Sequence, residues 1–162
     1  MLNEAGAVLQ QSARVLVSNL PGHIAEREAT IIIAEMKLHP NEIGIAELQS
    51  GPGNVVMIEI VRETLTEIFT AFGARGLPAE KVARRAVEET KKYLAAQVPV
   101  GEHLADQLLL PMALAGEGSF LTLPLTLHTQ TNIEVLKQFL EIDIHIERVS
   151  AEQALLRCKR RT

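Results

Sequence analysis

The sequence is poor in cysteine and in aromatic residues, and each scarcity excludes a class of protein. Cys158 is the single cysteine among 162 residues, so an internal disulfide framework is excluded. Tryptophan is absent and aromatic residues make up 3%, which argues against a platform that stacks several bases of a single strand. No apolar run reaches the length of a membrane span, and no charged and then apolar leader follows Met1. We therefore expect a cytoplasmic protein without a membrane partner.

The overall composition is that of an ordinary folded protein of one domain or two small ones. Hydrophobic residues make up 47% and charged residues 22%, which excludes a disordered chain. The net charge of -4 excludes a broadly basic nucleic-acid coat. A local basic cluster stands near the end of the sequence, at Arg157, Lys159, Arg160 and Arg161. A solvated tail is the simpler interpretation of this cluster, and an RNA contact is the alternative.

Hydrophobic periodicity in the first 97 residues predicts strands that alternate with two helices. The predicted elements are, in order, a strand over 13–20, a helix over 23–38, strands over 43–48, 55–61 and 67–74, and a helix from Pro78 to Ala96. Two helices can cover one face of a small sheet. Residues 13–97 are therefore predicted to form a self-contained α+β unit.

A second packing unit is predicted to begin after Val98. Residues between Gln107 and Gly116 carry almost no charge, which predicts a buried helix. Thr131 and Glu134 have the spacing of a capping box, which predicts a helix start at this point. The predicted elements that follow the apolar helix are an extended stretch over 119–127, a helix over 132–140 and strands over 142–149 and 155–159.

The first candidate site lies where this apolar helix begins, at Glu102, His103, Asp106 and Gln107. Spacings of three and four bring His103, Asp106 and Gln107 to one side of the first turns. Two interpretations stay open, a binding site or the compensation of the helix dipole by Glu102 and Asp106. His103 and Asp106 are fewer ligands than a closed structural metal site needs, so a metal here would be bound together with substrate phosphates.

The second candidate is His128, which stands three residues before the predicted cap Thr131. Free amides and the positive end of the dipole at a helix start attract phosphate, and a neutral imidazole beside them could attack phosphorus or move a proton. The alternative is a histidine that is hydrogen-bonded in a loop. We give that simpler interpretation to His23, His39 and His145.

Four strings of the sequence carry a resemblance to a known family. They are P-G-H-I-A-E-R-E (Pro21 to Glu28), G-P-G-N (Gly51 to Asn54), G-E-H-L-A-D-Q-L-L-L-P-M-A-L-A (Gly101 to Ala115) and H-T-Q-T-N-I-E-V (His128 to Val135). In this order they resemble the RNA 3'-terminal phosphate cyclases. Members of that family use ATP to convert an RNA 3'-phosphate into a 2',3'-cyclic phosphodiester, through a covalent histidine-AMP adduct.

The resemblance implies a role for each candidate residue. The family's nucleophilic histidine falls on His128. Its adenylate pocket falls on His103, Asp106 and Gln107, which would stack on adenine, hold a divalent ion and donate hydrogen bonds, respectively. The implied protein is a ligase-type RNA-processing enzyme that uses ATP and Mg²⁺ (or Mn²⁺), with an RNA that ends in a 3'-phosphate as its substrate. The alternative is a non-catalytic RNA-binding or ribosome-assembly relative, but such relatives lack the nucleophile.

The resemblance also implies a fold, an α+β protein in which a repeated β-α-β-α-β-β unit is interrupted by a small α/β sandwich insert domain. Residues 1–12 would be a strand of the catalytic domain, residues 13–97 the insert, and residues 98–162 the carboxy-terminal part of the catalytic domain. The family's amino-terminal portion has no counterpart in the sequence. We therefore expect a shortened cyclase that pairs with a separate amino-terminal half, associates with itself or is weakly stable.

Overall fold

In a computed structural model, which describes residues 1–49 and 51–161, the chain is a mixed α+β protein. The described residues form four α-helices and seven strands in two sheets, which confirms the expected class. The helices are α1 (His23–Met36), α2 (Ala79–Ala96), α3 (Glu102–Ala115) and α4 (Leu127–Phe139). The strands are β1 (Val8–Ser18), β2 (Ile43–Leu48), β3 (Gly53–Arg62), β4 (Thr66–Phe72), β5 (Glu117–Thr122), β6 (Ile142–Arg148) and β7 (Ala154–Arg160). Within the described ranges, each helix is too short or too polar to cross a membrane.

The chain divides into two compact units. The central unit is Val8–Lys92, and the terminal unit combines Met1–Ala7 with the chain from Tyr93 onward. The domain boundary expected between residues 12 and 13 falls inside β1, which is one continuous strand of the central unit's sheet. Leu2 belongs to the terminal unit, where it forms an isolated parallel bridge with Phe120. The assignment of the two units to an insert domain and a catalytic domain stays a prediction.

The central unit is a one-sided sheet with strand order β2-β1-β3-β4. The pair β1–β2 is parallel and the other two pairs are antiparallel. Burial alternates along β3 and β4, so that Val56, Ile58, Ile60 and Phe69 are buried while their neighbours in the sequence face outward. This alternation is typical of a sheet that packs on helices with one face.

The two helices of the central unit are amphipathic and joined by ion pairs. Helix α1 packs on β1 and β2 and buries Ala25, Ala29 and Ile32, which lie three to four residues apart. The Arg27 Nε atom lies 2.7 Å from Glu80 Oε1, which links α1 to the first turn of α2. This pair is partly exposed, so it contributes little to the free energy of unfolding. Its main effect is on the position of α1 relative to α2.

Glu28 is the one charged residue that α1 buries completely. The Asn54 side-chain amide donates a hydrogen bond to its Oε1 atom. Its Oε2 atom is also buried and has no hydrogen-bond partner among the described residues. Burial raises the pKa of Glu28 to about 7, although the Asn54 hydrogen bond acts in the opposite direction.

The terminal unit packs α3 and α4 with an antiparallel sheet of order β5-β7-β6. Its core contains Leu109, Phe120, Ile133 and Leu156. Helix α3 is not the fully buried helix that its low charge predicts, because Leu110 and Leu114 are 52% and 59% exposed. A helix of low charge is buried only where other parts of the chain pack against it. The described residues pack against one side of α3 and leave the other side exposed.

Strand β7 holds the lone cysteine and most of the basic cluster. Cys158 is buried in the sheet, and burial raises the pKa of its thiol. Arg157 and Arg161 form ion pairs with Glu147 and Asp143 at 2.7 and 2.8 Å. Two of the four basic residues are therefore paired with acids, which weakens the interpretation of this cluster as an RNA contact.

We expect the substitution Glu28→Gln to change how stability depends on pH. The unfolded chain exposes this carboxyl with an ordinary pKa of 4.5, whereas the folded pKa is about 7. Between these values the folded state keeps a proton that the unfolded state has lost, so a rise in pH lowers the free energy of unfolding, by an amount on the order of 3 kcal/mol. Glu28→Gln should remove this loss in urea denaturation, whereas Glu26→Gln, an exposed change on the same helix, should retain it. Equal pH slopes for both variants would contradict the assignment.

Candidate active site

Helix α4 begins at Leu127, and a threonine caps its first turn. The Thr126 Oγ1 atom accepts a hydrogen bond from the Thr129 backbone N–H at 3.1 Å. The Gln130 N–H donates to the Thr126 carbonyl oxygen at 3.0 Å. The first turn carries no acidic residue, so its positive dipole end is not neutralised by a side chain of its own.

The capping box predicted at Thr131 and Glu134 is wrong. Thr131 lies inside α4, where its Oγ1 donates to the Leu127 carbonyl oxygen at 2.8 Å. The physical reason is that Thr126 reaches the Thr129 amide and closes the helix start one turn earlier. His128 therefore lies in the first turn of the helix rather than in a loop before it.

Asp106 on α3 meets His128 and Asn132 on α4. The Asp106 Oδ1 atom is 3.2 Å from His128 Nδ1 and accepts a hydrogen bond from Asn132 Nδ2 at 2.5 Å. Asn132 follows His128 by one helical turn, so both side chains project from the same face of α4. The His128 side chain is 73% exposed and that of Asp106 is 26% exposed. The carboxylate is thus a partly shielded anchor for an accessible imidazole.

The His128 Nδ1 atom lies 3.2 Å from an acceptor, Asp106 Oδ1, and 3.2 Å from a donor, Asn132 Nδ2, and the charged carboxylate is the stronger hydrogen-bond partner of the two. A carboxylate oxygen only accepts hydrogen bonds, so we assign the proton to Nδ1, which then donates to Asp106. The opposite tautomer would place the Nδ1 lone pair against the carboxylate oxygen. With Nδ1 protonated, the free lone pair is on Nε2, on the exposed side of a ring that the Asp106 contact orients. An accessible nitrogen with a free lone pair is what a histidine nucleophile needs.

The remaining candidates lie along α3. His103 and Gln107 are exposed and flank Asp106 in sequence, while Glu102 is half-buried in the first turn. In the part of the chain that the structure describes, no three His, Cys, Asp or Glu side chains form a metal-binding group. Asp106 is the sole carboxylate among the described residues that contacts His128, and its Oδ2 atom is open because both of its hydrogen bonds go to Oδ1.

Sequence reasoning missed Asn132 as a member of the site. The signal for it is the spacing H-x-x-x-N on one helix, which brings the two side chains together only if both are helical. The predicted start of the helix at Asn132 placed His128 outside the helix and hid this relation.

Comparison with known proteins extends over most of the chain. A family model described as RNA 3'-terminal phosphate cyclase matches residues 22–146. A curated RNA 3'-terminal phosphate cyclase from Koribacter versatilis is 47% identical over 147 residues, which cover 90% of this chain and 41% of the relative. One from Pseudomonas fluorescens is 42% identical over 159 residues, or 97% of this chain and 46% of the relative. The chain thus spans less than half the length of these relatives.

The position of the α4 cap predicts different effects for two threonines. Thr126→Ala should lower the free energy of unfolding by about 1 kcal/mol, because it leaves the Thr129 amide without its acceptor. Thr131→Ala is the matched control and should change it by less than about 0.5 kcal/mol, because Thr131 lies inside the helix. Urea denaturation measures both changes. A larger loss for Thr131→Ala would place the helix start where the sequence pattern predicted it.

The Asp106 contact predicts a measurable tautomer of His128. Ring ¹⁵N resonances of the wild type should show protonated Nδ1 and unprotonated Nε2 in the neutral imidazole. Asp106→Ala should shift the proton toward Nε2, because the acceptor that holds it on Nδ1 is gone. Asp143→Ala removes an exposed carboxylate on β6 and should leave the His128 resonances unchanged. An Nε2–H tautomer in the wild type would refute the assignment.

Proposed function

The chain belongs to the RNA 3'-terminal phosphate cyclase family, and we propose that it performs the ATP-dependent conversion of an RNA 3'-terminal phosphate into a 2',3'-cyclic phosphodiester, with His128 as the nucleophile. The observation that supports the role of His128 is its exposed imidazole, which donates from Nδ1 to Asp106 and leaves Nε2 available.

His128 would act first, by attack of Nε2 on the α-phosphorus of ATP. A nitrogen–phosphorus bond forms, the bond between the α-phosphorus and the bridging oxygen breaks, and pyrophosphate leaves. The ring becomes positively charged in this step while Nδ1 keeps its proton. The Asp106 carboxylate, which already accepts from Nδ1, stabilises that charge in the way that an orienting carboxylate supports a catalytic imidazole.

The start of α4 is suited to a phosphate. Thr126 occupies the Thr129 amide, which leaves the Leu127 and His128 amides at the end of the helix for a ligand. Since the first turn lacks an acidic residue, no side chain of that turn repels an anion. The nucleophile and the amides that could hold the phosphate it attacks therefore belong to the same turn.

His103 and Gln107 would contact the adenine, as the family resemblance implies, and both are exposed enough to do so. Asp106 fits a divalent ion only in part, because one open carboxylate oxygen is available and phosphate oxygens would have to supply other ligands. Bound Mg²⁺ would neutralise charge on the phosphates and on the leaving pyrophosphate. The AMP would then pass to the RNA 3'-phosphate, and attack by the neighbouring 2'-hydroxyl would close the ring and release AMP.

The proposal includes a cover for the exposed apolar surface of α3 and α4. Large apolar side chains on α3 and α4 are exposed, among them Leu127 at 81% and Phe139 at 80%. Exposed apolar side chains in such numbers are typical of a surface that another chain covers. We propose that this surface is covered by the part of the enzyme that the longer relatives carry in addition, with association of two identical chains as the alternative.

Labelling with α-³²P-ATP and Mg²⁺ tests the nucleophile directly. Wild type should acquire an acid-labile, covalent label, and His128→Ala should acquire none. Asp106→Asn should label more slowly, by a factor on the order of 10² or more, because its side chain no longer carries the charge that supports the cationic ring. The matched control is His145→Ala, an exposed histidine on β6 that should label like the wild type.

Absence of label on well-folded wild type would overturn activity of this chain alone. Addition of the amino-terminal portion of a longer relative would then separate two cases. A label that appears only in the mixture supports a split enzyme. RNA that binds equally to wild type and His128→Ala, with no label under either condition, would support the non-catalytic alternative.

A further inference from the structure

Two of the motifs that carry the family resemblance lie outside the Asp106 site. The segments Pro21–Glu28 and Gly51–Asn54 belong to the central unit, where they have no part in the proposed chemistry. The fold joins them through the hydrogen bond from the Asn54 amide to Glu28. Two motifs that meet through one buried polar contact suggest a second site.

A pocket of about 510 Å³ lies at this junction. It is bounded by the start of α1, the turn before β3, the loop after β4 and the start of α2. Its apolar lining includes Leu20, Ile24, Leu77, Pro78 and Val82. A pocket of this size and character accommodates a mononucleotide.

Glu28 and Asn54, which are hydrogen-bonded to each other, both line this pocket. Glu28 is fully buried, and its Oε2 atom is an acceptor without a partner among the described residues. A carboxyl group that served only to hold Asn54 would leave this oxygen permanently unsatisfied, at a cost in free energy. An N–H group on a ligand would remove that cost.

Gly73 in the pocket lining leaves room for the Asn54 side chain. A Cβ atom built on Gly73 would lie 1.6 Å from Asn54 Oδ1, so only glycine allows the amide to stay where it is. Asn54 is half-buried, and its carbonyl oxygen and second N–H remain for a ligand. The glycine thus preserves the amide group at the pocket.

Charge around the pocket favours a ligand that carries an anionic group. Arg27 and Arg75 both line it, and Arg75 forms no ion pair with the carboxylates that the structure describes. The N-terminal turns of α1 and α2 contribute Ile24 and Ala79, so two positive dipole ends face the same space. A cationic ligand would be repelled by these groups, although the buried carboxyl alone would suit it.

We propose that this pocket binds a nucleotide whose amino-bearing base donates to Glu28 and Asn54 and whose phosphate contacts Arg75. A carboxylate or an amide side chain recognises the amino group of cytosine or adenine in just this way. The inference is independent of the role proposed for His128.

Titration of the full chain with nucleotides tests this pocket, with the Asn54 side-chain amide resonances as the reporter. CMP is chosen because it has no adenine, the base proposed to bind beside His128. CMP should bind to the pocket and shift these resonances. UMP should bind at least about fivefold more weakly, because carbonyl oxygens flank its ring N–H and would face the carboxyl oxygens. His128→Ala should bind CMP as the wild type does.

Substitutions of exposed residues test the pocket without disturbing the folded structure. Arg75→Ala should weaken CMP about fivefold or more and leave cytidine, which lacks the phosphate, unchanged. Arg85→Ala removes an exposed arginine outside the pocket and should change neither affinity. Gly73→Ala should weaken both ligands through displacement of Asn54. Equal affinity for UMP, an Arg75→Ala effect on cytidine, or no binding of CMP at about 10 mM would overturn the proposal.

Discussion

The site in the terminal unit depends on one carboxylate oxygen that is in contact with two other side chains. Asp106 Oδ1 receives His128 and Asn132 together, so α3 and α4 are joined near the points where both helices begin. Asp106 and Glu102, which lies in the first turn of α3, are thus both near the positive end of a helix dipole. The contact with Asp106 holds the imidazole in one orientation.

Much of the fold could be predicted from local pattern. Helix α1 was predicted over 23–38 and ends at Met36, because Lys37 takes a left-handed backbone conformation and Pro40 follows shortly after. The start of α3 after Gly101 was equally readable from composition. The start of α4 could not be predicted from local pattern. Both Thr126 and Thr131 could cap a helix, and the sequence does not reveal which of the two hydroxyl groups accepts from a free backbone amide. The geometry of the preceding turn decides in favour of Thr126.

The candidate sites show the same division between local and distant information. His128 is a candidate from its place near a helix start, and the family resemblance gives it a role. The structure adds Asn132, because the helical spacing of the two residues became certain only once the helix start was known. Glu28 fits the helical pattern of α1, but its complete burial depends on Asn54, which is 26 residues away in the sequence. A pattern along one helix cannot indicate that a polar group on its apolar face will find a partner on a strand.

The placement of Cys158 in β7 has a practical consequence for work in solution. The thiolate is the reactive form of cysteine, and burial both limits access to this sulfur and disfavours its ionisation. The native chain therefore offers modifying reagents a poor target. A cysteine introduced at an exposed position would react ahead of it, so fluorophores or spin labels can be attached at a chosen site while the native cysteine stays in place.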